Sequence, residues 1–155
     1  MVIYTQSGVL GVALRVRLRL RVRGREGFVD TSALVNTGFE TEAPQLLLPL
    51  RLASVLGLWP PPLEAQLLEF GTAGGPVKNY VVPNSLEVWV LGGDRVVGPV
   101  VSDAVISNVE LEALINDKLA GALGIVILNP ATGEWRFRDD DATVIRRSES
   151  PQYWF

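Results

Sequence analysis

The chain has 155 residues, 48% of them hydrophobic, which suits one domain around a single buried core. It holds no cysteine and no histidine, which excludes disulfides, thiolate nucleophiles, Ser-His and Cys-His arrangements and the common transition-metal ligands. The net charge of -3 hides an asymmetry: six of the 14 basic residues lie between Arg15 and Arg25, so the remainder carries 8 basic against 17 acidic residues.

Acid–base chemistry is therefore left to carboxylates, tyrosine and two lysines, Lys78 and Lys118. No apolar run approaches the roughly 20 residues of a membrane helix. The N-terminal "MVIYTQSGVLGVALRV" lacks the basic flank of a signal peptide. A soluble, cytoplasmic protein without membrane contact is expected. The lack of cysteine and the single methionine suit a heat-adapted source.

The first element is "VALRVRLRLRVRGR". Val12, Leu14, Val16, Leu18, Leu20 and Val22 alternate with arginines from Arg15 to Arg25, which predicts a strand with one buried and one solvated face. A turn over Gly24 to Gly27 returns the chain as "FVDTSALV", the second strand of a hairpin. "PQLLLP" predicts a short buried strand, and "LRLASVLGL" a short helix stopped by Gly57. "WPPPLE" is a stiff connector.

"LEAQLLEFGTAGGPVKNYVV" reads as two strands around a glycine-rich tip, Gly71 to Gly75. "SLEVWVL" and "RVVGPVVSDAVIS" form a further hairpin through Gly92-Gly93-Asp94. "NDKLAGALG" is a second short helix with Asn116 as its N-cap. "IVILNPATGEWRF" turns at Asn129 to Gly133, and the tail "RDDDATVIRRSESPQYWF" is charged before it ends in aromatics. About ten strands and two short helices predict an all-β domain with closed or packed sheets.

One repeat organises these pieces. Leu52, Ala53, Leu56 and Gly57 match Leu119, Ala120, Leu123 and Gly124 at a constant offset of 67 residues, and each helix lies between two apolar strands. The expected domain is therefore pseudo-two-fold.

With "LVNTGF", "QLLLPLRLASVLGL", "EFGTAGGPV" and "ALINDKLAGALGIVI" in that order over Gly11 to Phe137, the chain resembles the retropepsin-like, single-lobed aspartic peptidases. It is especially similar to small archaeal members, in which Thr-Gly-Phe follows the catalytic position. The resemblance implies a closed acid-protease barrel spanning 1–155: a first half at 1–62, a flap hairpin at 63–82, a second half at 83–138 and a tail at 139–155. It also implies a homodimer that takes an extended peptide or unfolded protein segment, with no cofactor and no metal. Gly71, Thr72, Ala73, Gly74 and Gly75 would form the flap over the substrate. Asn36, Thr37 and Gly38 would occupy the catalytic loop.

Two departures stand out: Asn36 takes the place of the catalytic aspartate, and Asn116 takes the place of the glycine before the second helix. An amide orients water but does not accept a proton near neutral pH. The implied enzyme is an aspartic endopeptidase inert as written, by design or by decay, or else a natural pseudopeptidase that binds peptide without cutting.

Asp30 in "VDTSA" is a second match to the motif, with Ser32 where glycine belongs; only Asn36 has the right distance to "LLLP", so Asp30 reads as a strand or turn residue. Glu40 and Glu42 read as solvated loop acids. The arginine strand could track a phosphate backbone, but no aromatic is interleaved among its arginines to stack bases, and the plain solvated face outweighs nucleic-acid binding. Asp139-Asp140-Asp141 reads as a solvated turn rather than a metal site. The final "YWF" reads as a cover for a sheet edge or a partner subunit.

Overall fold

Period two along the first strand puts its apolar side chains inward, and this sets the architecture. In a computed structural model, which describes residues 13–155, β1 spans Arg15–Val22, with Leu14, Val16, Leu18, Leu20 and Val22 all buried. Val12, assigned to the same face, lies outside the described residues, as does the rest of the N-terminal "MVIYTQSGVLG". The chain continues through β2 (Val29–Val35), β3 (Gln45–Pro49), α1 (Leu50–Val55), β4 (Gln66–Phe70), β5 (Val77–Leu91) and β6 (Val96–Ser107). It ends with β7 (Ala113–Ile115), α2 (Asp117–Ala122), β8 (Ile125–Asn129), β9 (Glu134–Phe137) and β10 (Arg146–Arg147).

Seven strands form one sheet in the order β1-β2-β7-β3-β6-β5-β4, and β1 also pairs with β5. That extra pairing closes a six-stranded barrel and leaves β4 as a flange on β5. Closure removes the free edges that β1 and β5 would otherwise present. Its interior holds Leu18, Leu46, Leu48, Leu86, Val88, Ile106 and Ile115, joined by Leu52 of α1 and Leu119 of α2. The fold is mostly β with two short helices, as composition and spacing predict.

The repeat is visible in the geometry. The helices Leu50–Val55 and Asp117–Ala122 are offset by the same 67 residues, and each ends at a glycine with φ of 74°, Gly57 and Gly124. β7 lies between β2 and β3, parallel to β2; β3 lies between β7 and β6, parallel to β6. Each half thus threads its inner strand between an outer strand and the inner strand of the other.

Several sequence readings need correction. The strands written as "KNYVV" and "SLEVWVL" are one, β5, because Pro83 and Asn84 (φ 50°) form a bulge rather than a break, with a register shift between Val82 and Leu86. Arg15 does not belong to a solvated face: its guanidinium is buried and donates to Glu112 at 2.6 and 3.1 Å.

The aspartate run is only partly a solvated turn. Asp140, its side chain 6% exposed, joins Arg95 and Arg146 with Asp94 and Asp139, while those two guanidinium groups stack on Phe137. Two arginines between three carboxylates tie the small β8–β9–β10 sheet to the β5–β6 turn. The Asp140 carboxyl sits well below the usual carboxylate range, chiefly through its hydrogen bond from Arg146.

The tail covers a seam within its own chain. β7 pairs with β2 only over Ala33–Val35, leaving Thr31 and Ser32 without a strand on that side. Gln152 accepts from the Ser32 N–H, and the Trp154 indole donates to Thr31 Oγ1 at 3.0 Å while its backbone N–H reaches the Leu111 carbonyl. Phe155 alone of the three final aromatics is fully exposed.

Candidate functional site

β2 ends because Val35 is the last residue opposite β7, and the chain then turns sharply. The Asn36 N–H donates to the Ile115 carbonyl at 2.9 Å, Phe39 N–H donates to the Asn36 carbonyl, and Gly38 N–H donates to Asn36 Oδ1 at 3.2 Å. Asparagine suits such a turn because its side-chain oxygen takes the N–H two residues on.

Above this loop stands the β4–β5 hairpin. Phe70 pairs with Val77 at its last register position, and the tip is closed by Thr72, which exchanges backbone hydrogen bonds with Gly75 and donates its hydroxyl to the Gly75 carbonyl. Phe39 of the loop and Phe70 of the hairpin meet edge to face, centroids 6.2 Å apart.

Between loop and hairpin lies a cavity of about 50 Å³. Asn36, Phe39, Leu47, Phe70, Leu114 and Asn79 contribute to its wall, together with Gly71, Thr72 and Val77. Leu47 and Leu114 belong to a second apolar cluster with Leu34, Val81 and Val105, on the opposite strand face from the barrel interior.

The structure thus brings together Asn36 with Gly71 and Thr72, three residues singled out from sequence. Ala73, Gly74 and Gly75 form the tip and do not line the cavity; Thr37 and Gly38 are exposed on the loop's outer side. Glu40 and Glu42 are exposed and do not line it either. Asp30 is held in a two-bond pair by Arg19, which keeps its carboxyl below the usual range. No carboxylate lines the cavity.

Sequence reasoning missed Phe39, Leu47, Phe70, Val77, Asn79 and Leu114. "LLLP" is apolar at every position, so nothing in it distinguishes Leu47, which faces out, from Leu46 and Leu48, which face in. The repeat held the missing signal: Leu47 and Leu114 are 67 residues apart.

The two loops of the repeat are chemically related. Val35 pairs with Ile115, and Ile106 pairs with Leu48, the residue 67 positions before Ile115. Asn36 therefore corresponds to Ser107. In each loop the side-chain oxygen accepts the N–H two residues on: Gly38 for Asn36, Val109 for Ser107, both at 3.2 Å.

The arginine face also differs from its sequence reading. Aromatics absent from the strand itself come from its neighbours: Arg19 and Arg21 lie over the Phe28 ring, and Arg21 also lies over Trp89. Five of the six arginines are nonetheless engaged within the chain. Arg15 pairs with Glu112, Arg19 with Asp30 and Arg21 with Glu87, while Arg23 and Arg25 donate to backbone carbonyls. A face whose guanidinium groups are already engaged has few left for phosphates.

No protein-family model matches the chain, and no curated protein matches it. No helix among the described residues is long and apolar enough to cross a membrane.

Proposed function

We propose that the chain is a retropepsin-like aspartic-peptidase barrel, paired as a homodimer, that holds an extended peptide or unfolded protein segment beneath its flap. With Asn36 at the catalytic position it does not cut what it holds. The observation that carries this reading is the meeting of Asn36 and the flap residues Phe70, Gly71 and Thr72 around one cavity that has no carboxylate. The interlocked halves, each with an inner strand and a helix at a 67-residue offset, support it.

In such a site two carboxylates, one per subunit, share a proton; one takes a proton from the attacking water and the other gives one to the scissile carbonyl. A pair of asparagines does neither, because an amide holds its protons across this range. The cleft walls do not depend on that chemistry, so binding outlives it. The nucleic-acid reading loses ground, since the arginine face is matched by carboxylates and backbone carbonyls.

The test compares this chain with Asn36→Asp on an unfolded protein substrate between about pH 3 and pH 7. General acid–base catalysis is worth roughly 10²–10⁴-fold, so the variant should gain at least that much turnover, and a transition-state inhibitor of aspartic peptidases should block it. Failure of both proteins to cleave, with the dimer intact, would discard the peptidase scaffold and leave a peptide-binding module.

A further inference from the structure

We infer that the Asn36 side chain presents a single, pre-aimed hydrogen-bond donor, reserved for a backbone carbonyl of an apolar bound segment; this rests on the peptide-binding reading above. The orientation of the amide is fixed by its neighbour. Oδ1 accepts the Gly38 N–H at 3.2 Å, and turning the amide over would set N–H against N–H. Nδ2 therefore faces away from Gly38. It is buried and has no acceptor among the described residues.

No residue of the cavity wall accepts from it. Phe39, Leu47, Phe70, Val77 and Leu114 have no polar side-chain atom, the Thr72 hydroxyl is committed to the flap tip, donating to the Gly75 carbonyl and accepting the Gly74 N–H, and Asn79, the other amide in the wall, makes no hydrogen bond with Asn36 Nδ2. A buried donor left unmet costs about 1–3 kcal/mol, a cost the protein recovers when a guest brings an acceptor. A second asparagine makes the contrast: Asn116, fully buried, donates from Nδ2 to Thr41 Oγ1 at 2.7 Å and to the Ala43 carbonyl at 2.9 Å.

The size and polarity of the cavity narrow the guest. About 50 Å³, in a measure where one water needs about 10–15 Å³, admits a small aliphatic side chain with the flap in place. An extended chain alternates its side chains and carbonyls, so a short aliphatic residue in the apolar pocket sets a neighbouring carbonyl beside Asn36. An aspartate at this position would do the reverse when ionised, repelling a carbonyl oxygen. The amide therefore changes the preference of the site as well as silencing it, and that preference does not titrate.

The experiment uses end-capped hexapeptides built from Ala, Val and Leu with a fixed central Ala-Val link, made either as the normal amide or as an (E)-alkene that keeps the extended shape and deletes the carbonyl. Binding is followed by the shift of the Asn36 side-chain N–H signals in ¹⁵N-labelled protein, and by affinity for the chain and for Asn36→Ala. The inference expects the chain to favour the amide by on the order of tenfold, equally at acid and neutral pH, and Asn36→Ala to lose that preference while still binding the alkene.

Equal affinity of the unsubstituted chain for amide and alkene would overturn the donor assignment and leave the peptide-binding reading standing. Retention of the amide preference by folded Asn36→Ala would overturn it as well, by moving the contact elsewhere. Binding of neither peptide would overturn the peptide-binding reading, and this inference with it.

Discussion

Asn36 and Asn116 sit on either side of the same strand pair, one at the end of β2 and one at the end of β7, and the fold uses them in opposite ways. Asn116 spends its whole amide on structure. Its Oδ1 accepts from Gln45 and Leu119, both at 2.9 Å, and its Nδ2 donates to Thr41 and Ala43, so one residue caps α2 and fastens the loop that runs from Asn36 into β3. Asn36 gives one contact, to Gly38, and keeps its donor unspent at the wall of a cavity. Polar groups inside proteins are matched as a rule, so the matched asparagine reads as architecture and the unmatched one as a place where something else is meant to bind.

The largest effect should come from the matched one. Asn116→Ala removes four hydrogen bonds at once and leaves the buried Gln45 and Leu119 N–H groups unmet. A loss of about 2–4 kcal/mol in urea unfolding is expected. A loss below about 1 kcal/mol would mean that the loop stands without the clamp, and the contrast between the two asparagines would collapse.

A smaller effect tests the repeat itself. Gly57 and Gly124 are equivalent and share φ of 74°, so alanine at either position should cost on the order of 1 kcal/mol in backbone strain. Their surroundings differ. A Cβ at Gly57 would fall 2.6 Å from Arg25 Nη1, which donates to the Leu56 and Gly57 carbonyls, whereas at Gly124 the nearest atom is 3.8 Å away. Gly57→Ala should therefore exceed Gly124→Ala by roughly another 0.5–1 kcal/mol in parallel denaturation curves. Equal costs would show that Arg25 yields freely.

How much of this was legible beforehand follows from the physics of each element. The arginine strand announced itself because one face is buried and the other is not, and the helices because Leu, Ala and Gly recur at one offset. A closed barrel was expected from the resemblance, but that β1 and β5 close it was not legible, since no local pattern records which distant strand a chain will meet. The bulge at Pro83 and Asn84 looked like a break because local turn chemistry is the same in both cases. For the site, the loop and the flap tip could be named from their glycines and polar residues. Their apolar wall could not, because Leu47 and Leu114 lie in runs that are buried on both faces.

The next effect down tests whether the loop and the flap act together. Phe39 and Phe70 are the direct contact between them, and a double-mutant cycle with alanine at both should show a coupling of about 0.5–1.5 kcal/mol. Amide exchange at Gly71, Gly74 and Gly75 should quicken in each single variant, since the Phe39–Phe70 contact ties the hairpin to the loop. Additive losses with unchanged exchange would separate the flap from the site.

The smallest expected change in stability is the most informative. Asn36→Ala gives up one long hydrogen bond to an exposed N–H, and it also removes a buried donor that the closed structure leaves unmet. The two nearly cancel: each is on the order of 1 kcal/mol, with opposite signs. Urea unfolding should therefore place the variant within about 1 kcal/mol of the parent, on either side. A residue that costs little to remove from the fold, yet holds a buried donor where flap and loop meet, is retained for its contact with a guest. A loss matching that of Asn116→Ala would reverse the assignment and make Asn36 a second structural clamp.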